Sequence, residues 1–250
     1  MEKRKLSRTG NMLITFLLIL SLCGACYSGW MLYQTMSEYS QGSAAYHKID
    51  KDALVPAADG SEEETIDFDY LRNINPDIAG WISLADSEIS YPVVYSYEKG
   101  NDWYLRHLFD GTYNNSGCIF LDSHNVRADE EHIVMYGHHM RNGTMFADVQ
   151  KYESQEWYDT HREIVLDTPD GRWILYPAAG IFTTGTDPYV RFEFADDADF
   201  IQYVNYFTSG STFVSDTVLQ AGDRTALLST CSYNVEDGRY ALLCRMERAG

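Results

Sequence analysis

The sequence is short of basic residues. Its 250 residues include 19 lysines and arginines against 37 aspartates and glutamates, a formal net charge of −18. The first 35 residues carry about +3, so the remainder carries about −21. The basic residues of that N-terminal stretch, set against Glu2, are Lys3, Arg4, Lys5 and Arg8. Phosphate binding needs a basic face, so this composition argues against a nucleic-acid partner.

Metal-binding patterns are also missing. Of the seven histidines, His124, His132, His138 and His139 are the nearest to a cluster, but no two lie four residues apart beside an acid as in zinc proteases. The acidic stretches do not follow the spacing of a calcium loop and are typical of a solvated surface. These stretches are Glu62–Glu64, Asp129–Glu131 and Asp196–Asp199. We therefore expect no metal and no cofactor.

Cysteines are few and cannot all form disulfides within the main domain. Cys118, Cys231 and Cys244 lie there, and an odd number leaves at least one free thiol. Cys23 and Cys26 have the spacing of a redox or metal motif, but they lie in an apolar run. In a lipid-embedded helix, small residues at such positions favour packing.

One long apolar run is present, and it is N-terminal. Residues 11–33 are uncharged and exceed the ~20 residues that a helix needs to cross a bilayer. Trp30 and Tyr33 fall near the far end, where aromatic residues prefer the interface. A cleaved signal peptide is the alternative, but its apolar core is normally shorter and is followed by a cleavage site. We expect a cytoplasmic basic segment (1–10), a transmembrane signal-anchor (11–33), an extracellular stalk or irregular helix (34–65) and a folded domain (66–250).

The domain is rich in short apolar segments that read as strands. Aromatic residues make up 14% of the chain, including 19 tyrosines and 11 phenylalanines, and they suit half-buried sheet surfaces. About eight such segments with few helices predict a mainly β fold, a closed or nearly closed barrel. The cleanest helical pattern covers residues 196–209, with an acidic first turn and one apolar face.

The stretch "TALLSTCSYNVEDGRYALLC" (225–244) contains the residues that indicate chemistry. Cys231 ends one apolar run and Arg239 begins the next, across a turn. A nucleophilic thiol needs a base or a positive field nearby, and an arginine can stabilise an oxyanion or hold a carbonyl. His138 follows the apolar run "HIVMYG", so it lies at the end of a predicted strand, where barrels carry functional residues. Because side chains alternate along a strand, the side chain of His139 is expected to point the other way.

Taken together, these features resemble the sortases, membrane-anchored cysteine transpeptidases of Gram-positive bacteria. The shared elements are the basic anchor, the stalk, "YGH", "LSTC" and an arginine eight residues after the cysteine, in that order. Leu227 stands where the family usually has the first threonine of its TLxTC motif. Three longer segments, and the helix predicted at 196–209, are similar to class B sortases in particular. These segments are "NPDIAGWISLADSEISYPVV", "YLRHLFDGTYNNSGCIFLDSHN" and "IVMYGHHMRNGTMFADV".

The resemblance implies an eight-stranded sortase barrel and a role for each site residue. Cys231 would be the nucleophile, His138 the general acid/base and Arg239 the residue that holds the substrate backbone and the oxyanion. Ser229 and Thr230 would line the groove. The implied partners are secreted proteins with a C-terminal sorting motif and a peptidoglycan precursor or cross-bridge amine.

Other functions stay open at this stage. A pilin-polymerising or accessory sortase shares every motif, and a cysteine protease on the outer membrane face shares the thiol and the histidine. Papain-like proteases, however, place the cysteine before the histidine. A membrane-tethered receptor without catalysis is a third alternative, which Cys231→Ala tests. The sorting motif and the acceptor amine are not encoded in any pattern that we identify.

Overall fold

The apolar segments pair edge to edge into a closed barrel in the computed structural model, which describes residues 8–56, 64–231 and 237–249. Ahead of the barrel lie α1 (Arg8–Ala53), the antiparallel strands β1 (Leu54–Pro56) and β2 (Glu64–Ile66), and α2 (Phe68–Ile74). Eight barrel strands occur among the described residues: β3 (Ile78–Ser83), β4 (Ser90–Tyr95), β5 (Ile119–Leu121), β6 (His132–Gly137), β7 (Ile164–Thr168), β8 (Gly171–Thr184), β9 (Thr225–Cys231) and β10 (Gly238–Arg248).

The order of strands around the barrel is β10-β8-β7-β3-β4-β5-β6-β9, and β9 pairs with β10 to close it. Neighbours are antiparallel except β4–β5 and β6–β9, which are parallel. The prediction of a mainly β, closed eight-stranded barrel is confirmed. Short helices occupy the connections: α3 (Asn101–Tyr104), a 3₁₀ helix (Ala147–Glu153), α4 (Gln155–Thr160) and α5 (Asp197–Ser209).

Helix α5 forms where the sequence predicts it, and for the expected reasons. The side chain of Asp196 caps its N-terminus by accepting a hydrogen bond from Asp199 N at 2.9 Å. One face of the helix is buried among residues of β8, β9 and β10. The buried side chains of that face are Phe200, Tyr203, Val204 and Phe207.

The segment between β8 and α5 is fastened to this helix. Arg191 makes a bidentate ion pair with Asp199, with Nη2–Oδ2 at 2.6 Å and Nη1–Oδ1 at 2.9 Å. This guanidinium lowers the pKa of Asp199 to about 2. The hydroxyl of Tyr203 donates to the carbonyl of Tyr189 at 3.1 Å. Helix α5 therefore holds this segment, and its side chains at the barrel rim, in place.

Helix α1 extends much further than the predicted anchor, through the region interpreted as a stalk or irregular helix. Residues 42–250 form one compact unit, which includes the last turns of α1. In the last three turns of α1, Tyr46, Ile49 and Ala53 are buried, and the Tyr46 hydroxyl donates to Gly117 O at 2.6 Å. A Cβ at Gly42 would lie 2.7 Å from Ser116 Oγ, so glycine permits this close approach.

Residues Met1–Gln41 form a separate unit. Among the described residues, α1 is the one helix long and apolar enough to cross a membrane, judged by length and composition. Its large apolar side chains between Met12 and Met36 are exposed to a degree unusual for a water-soluble helix, for example Phe16 at 61% and Leu20 at 59%.

Candidate active site

The pairing of β9 with its two neighbours brings three distant parts of the chain to one end of the barrel. In the antiparallel β9–β10 pair, Cys231 lies directly opposite Arg239. In the parallel β6–β9 pair, Gly137 lies opposite Thr230. His138 follows Gly137 as Cys231 follows Thr230, and parallel strands end at the same edge of a sheet. The register therefore places His138, Cys231 and Arg239 at the same rim.

The rim opens into a cleft of about 370 Å³ that contains all five site residues predicted from the sequence. The residues that line the cleft at the ends of β6, β9 and β10 are His138, Ser229, Thr230, Cys231 and Arg239. Its other walls come from α3 and the residue after it, from β5 and β6, and from the segment between β8 and α5. These residues are Asn101, Leu105, Phe120, Tyr136, Gly137, Gly185, Asp187, Tyr189 and Val190.

His138 is held in one orientation by a backbone carbonyl. Its Nε2 lies 2.8 Å from Leu105 O, and because a carbonyl only accepts, Nε2 carries a proton. In the neutral ring, Nδ1 is then the basic nitrogen. Burial lowers the pKa of His138 below its usual 6.5, and the charges of Arg106 and Arg239 lower it further, against the opposing effect of the Leu105 hydrogen bond. The imidazole is therefore mainly neutral at pH 7.

The neighbouring histidine has a different role. The Nδ1 of His139 donates to the backbone carbonyl of Cys231 at 3.1 Å, and His139 is not among the described residues that line the cleft. It fastens the backbone at the end of β9, while His138 faces the cleft. This arrangement agrees with the alternation expected where β6 ends.

Gly137 allows β6 to pack closely against Ile119 and Phe146. A Cβ at this position would lie 2.7 Å from Phe146 Cγ and closer still to Ile119 Cδ1, and both side chains are fully buried. A glycine is needed immediately before His138 because a side chain would displace the strand that positions it.

Arg239 is held at the start of β10 by groups within two residues of it. Its Nη2 lies 2.9 Å from Asp237 Oδ1, and its Nη1 donates to Gly238 O at 3.0 Å and to Asp237 O at 3.2 Å. Asp237 adopts a left-handed conformation with φ of 53°, and its carbonyl also accepts from Gly185 N. The guanidinium side chain remains 28% exposed, so part of its fork is open to a ligand.

Ser229 and Thr230 form the buried floor beside the thiol. The Ser229 hydroxyl lies 2.9 Å from the Tyr189 hydroxyl, which joins β9 to the segment before α5. The Thr230 hydroxyl is buried and has no hydrogen-bond partner in the part of the chain that the structure describes.

The other two thiols of the barrel domain are buried, unlike Cys231. Among the described residues all five cysteines are free, and Cys118 and Cys244 are fully buried. Burial raises the pKa of the Cys118 thiol to about 12 and raises that of Cys244 further, whereas Cys231 is half-buried at the rim. No group of three or more His, Cys, Asp or Glu side chains that could hold a metal occurs in the described ranges.

Sequence reasoning missed most of the cleft walls. Asn101, Tyr136 and Tyr189 come from three separate segments. Of the three, Tyr136 alone belongs to a motif, "YGH", in which only the histidine has an assigned role. The available signals were indirect. Tyr136 lies two residues before His138, so strand alternation puts both on one side, and Tyr189 lies in the loop before the predicted α5.

Comparisons with known proteins agree with this geometry. The family model described as "Sortase domain" matches residues 85–247. Sortase B of Staphylococcus aureus is 32% identical over 204 residues, 81% of this chain and 83% of that protein. Sortase B of Listeria monocytogenes is 29% identical over 223 residues, 86% and 89% of the two chains.

A solved structure, the S. aureus sortase B–substrate complex, superimposes with a TM-score of 0.74 at 28% identity, over 86% of this chain and all of the other. The chain therefore belongs to the sortase family of cysteine transpeptidases, and its similarity is to class B sortases.

Proposed function

We propose that the protein cleaves a C-terminal sorting motif in secreted proteins and joins the new carboxyl end to a cell-wall amine. The observation that carries this proposal is the convergence of Cys231, His138 and Arg239 on one cleft at the joined ends of β6, β9 and β10. A thiol, a basic imidazole nitrogen and a partly open guanidinium are the groups that acyl transfer through a thioester requires.

In the first half-reaction the Cys231 thiol passes its proton to His138 as its sulfur attacks the carbonyl carbon of a threonine in the motif. The new C–S bond forms a tetrahedral intermediate, whose oxyanion Arg239 stabilises. Collapse of this intermediate breaks the C–N bond, and His138 donates a proton to the leaving amine. The products are a thioester on Cys231 and the released C-terminal peptide.

In the second half-reaction an amine nitrogen attacks the thioester carbonyl. The C–S bond breaks, an amide forms, and the proton lost by the amine passes through His138 to the Cys231 sulfur, which restores the thiol and the neutral imidazole. A peptidoglycan precursor or cross-bridge supplies the amine. Water at this step would instead make the enzyme a protease.

The N-terminal helix determines on which side of the membrane this reaction takes place. We propose that residues 11–33 cross the membrane as an uncleaved anchor, that residues 1–10 stay in the cytoplasm, and that the domain from Gly42 onward lies outside. The support is the length and apolar character of α1 and the basic residues ahead of it. Such an anchor confines the enzyme to the surface where secreted proteins emerge.

The test uses the full chain in detergent micelles beside its Cys231→Ala variant. Each is mixed with a peptide library in which threonine precedes the bond to be cut and the other positions vary, with and without triglycine or diaminopimelate. Intact-mass spectrometry should detect an acyl adduct on the wild-type chain alone, and the adduct should pass to the amine. Cleavage without transfer would favour a protease, and no adduct under any condition would overturn the proposal.

A further inference from the structure

A buried carboxylate lies directly behind the cleft walls. Asp122 follows β5, is 4% exposed, and has its backbone fixed by the hydrogen bond from Asp122 N to Val134 O at 2.8 Å. It does not line the cleft, and no part of the chemistry proposed above uses it. A buried carboxylate is costly unless its oxygens are satisfied, so its partners indicate what it does.

The first partner is Asn101 on α3, which lines the cleft. Its Nδ2 donates to Asp122 Oδ2 at 2.9 Å, while its Oδ1 accepts from Ser96 Oγ and from Ser123 N, each at 2.8 Å. Both ends of the amide are therefore fixed, and it cannot flip without losing all three bonds. One N–H is committed to Asp122, and the second makes no hydrogen bond within the described part of the chain.

The second partner is Tyr136 on β6, which also lines the cleft. Burial first, and then the charge of the nearby Asp122 carboxylate, raise the pKa of its phenol well above the usual value. The phenol therefore stays protonated at neutral pH.

The third partner reaches the opposite wall. Asp122 Oδ1 accepts from His124 N at 2.9 Å and from His124 Nδ1 at 2.7 Å. The His124 ring stacks on Phe192 with centroids 4.3 Å apart and planes 20° apart. Phe192 belongs to the segment between β8 and α5 that contributes Tyr189 and Val190 to the cleft.

We propose that Asp122 is a positioning residue for substrate recognition. It holds the Asn101 amide in place at the cleft and, through His124 and Phe192, braces the segment that carries Tyr189 and Val190. The inference rests on the proposed function and adds a determinant of peptide binding to it. An apolar side chain in its place would leave the Asn101 amide and both His124 donors without an acceptor, so the carboxylate is what fixes these groups. Of these groups, the Asn101 side chain itself lines the cleft.

The experiment measures steady-state transpeptidation by the full chain in micelles, with triglycine as the acceptor and a quenched fluorescent form of the library peptide that the wild type cuts fastest. The variants are Asp122→Asn, Asn101→Ala and the double variant. The matched control is Asp148→Asn, since Asp148 is 2% exposed and accepts from Glu88 N, but lies outside the cleft.

Asp122→Asn should raise KM roughly tenfold, the size expected when a hydrogen bond to a charged group is lost, with kcat within about twofold. Because Asp122 acts through Asn101, the KM of the double variant should be close to that of the single variant with the higher KM. Alkylation of Cys231 by iodoacetamide, which needs no peptide recognition, should proceed at the wild-type rate. The control should keep the wild-type KM.

Two outcomes separate this inference from the proposed function. If the wild type turns over and a folded Asp122→Asn keeps its KM, the positioning role is overturned while the function stands. If the wild type turns over no peptide, the function falls and the role falls with it. Should Asp122→Asn fail to fold, His124→Ala takes its place: the His124 side chain is 67% exposed, and an unchanged KM in that variant would overturn the inference.

Discussion

Arg239 lies directly opposite Cys231 across the β9–β10 pair, and its guanidinium is already held by Asp237 and by two backbone carbonyls. The register makes this pairing a property of the barrel itself. The thiol and the guanidinium are therefore set in place before any substrate arrives.

Replacing Arg239 by lysine tests whether the planar fork matters or only its charge. Arg239→Lys should lower kcat/KM by about 100-fold, because an ammonium cannot hold the Asp237 contacts and a carbonyl together. The measurement is transpeptidation of the library peptide. The control is Arg245→Lys on the same strand, whose ion pair with Glu247 lies away from the cleft. Near-wild-type turnover by Arg239→Lys would contradict the assigned role.

The depressed pKa of His138 predicts where its ring titrates. In the Cys231→Ala variant, where no thiol titrates with it, the imidazole NMR signals of His138 should have a midpoint below 6.5. Arg106→Gln should raise that midpoint, because the Arg106 charge disfavours the imidazolium. Arg248→Gln, at the far end of β10, should leave it unchanged. A midpoint at or above 6.5 in the parent variant would refute the effect of burial.

A second buried histidine links stability to pH. Burial lowers the pKa of His132 from 6.5 to about 4. As the pH falls below 6.5 the unfolded chain binds this proton first, so the free energy of unfolding should drop by roughly 2 kcal/mol between pH 7 and pH 5 from this group alone. Urea unfolding followed by tryptophan fluorescence measures the drop. His132→Gln should lose that part of the slope, and identical slopes would disprove it.

The domain boundary is open to a direct test. A fragment of residues 66–250 lacks β1 and the buried residues Tyr46, Ile49 and Ala53, whereas a fragment of residues 42–250 retains them. Burial of the tyrosine and isoleucine side chains contributes roughly 4 kcal/mol, so the shorter fragment should unfold at a markedly lower urea concentration. A fragment of residues 36–250 should match 42–250. Equal midpoints for all three would place the boundary at Ile66.

The sequence predicted the parts of the site that depend on local pattern. The apolar runs that end at Gly137 and at Cys231 became β6 and β9, and alternation separated His138 from His139. The end of α1 was missed because its polar composition resembles a linker. Its buried residues Gly42, Tyr46, Ile49 and Ala53 nevertheless repeat at helical spacing.

The cleft walls were not predictable in the same way. Asn101 and Tyr189 come together at one cleft only in the folded barrel. The hydrogen bond from Asn101 to Asp122, behind that wall, leaves no periodic trace in either segment. The His124–Phe192 stack joins residues 68 positions apart, and a single sequence holds no record of that contact.

The parallel contact between β6 and β9 has a consequence for biogenesis. His138 and Cys231 are separated in the chain by β7, β8 and α5, so they meet only when β9 is inserted between β6 and β10 and the barrel closes. Such distant pairings form late, because the long segment between them must lose conformational entropy before the new contacts stabilise the chain. A chain whose barrel is still open therefore carries a Cys231 thiol without its imidazole partner, and the two groups come together at the last step of folding.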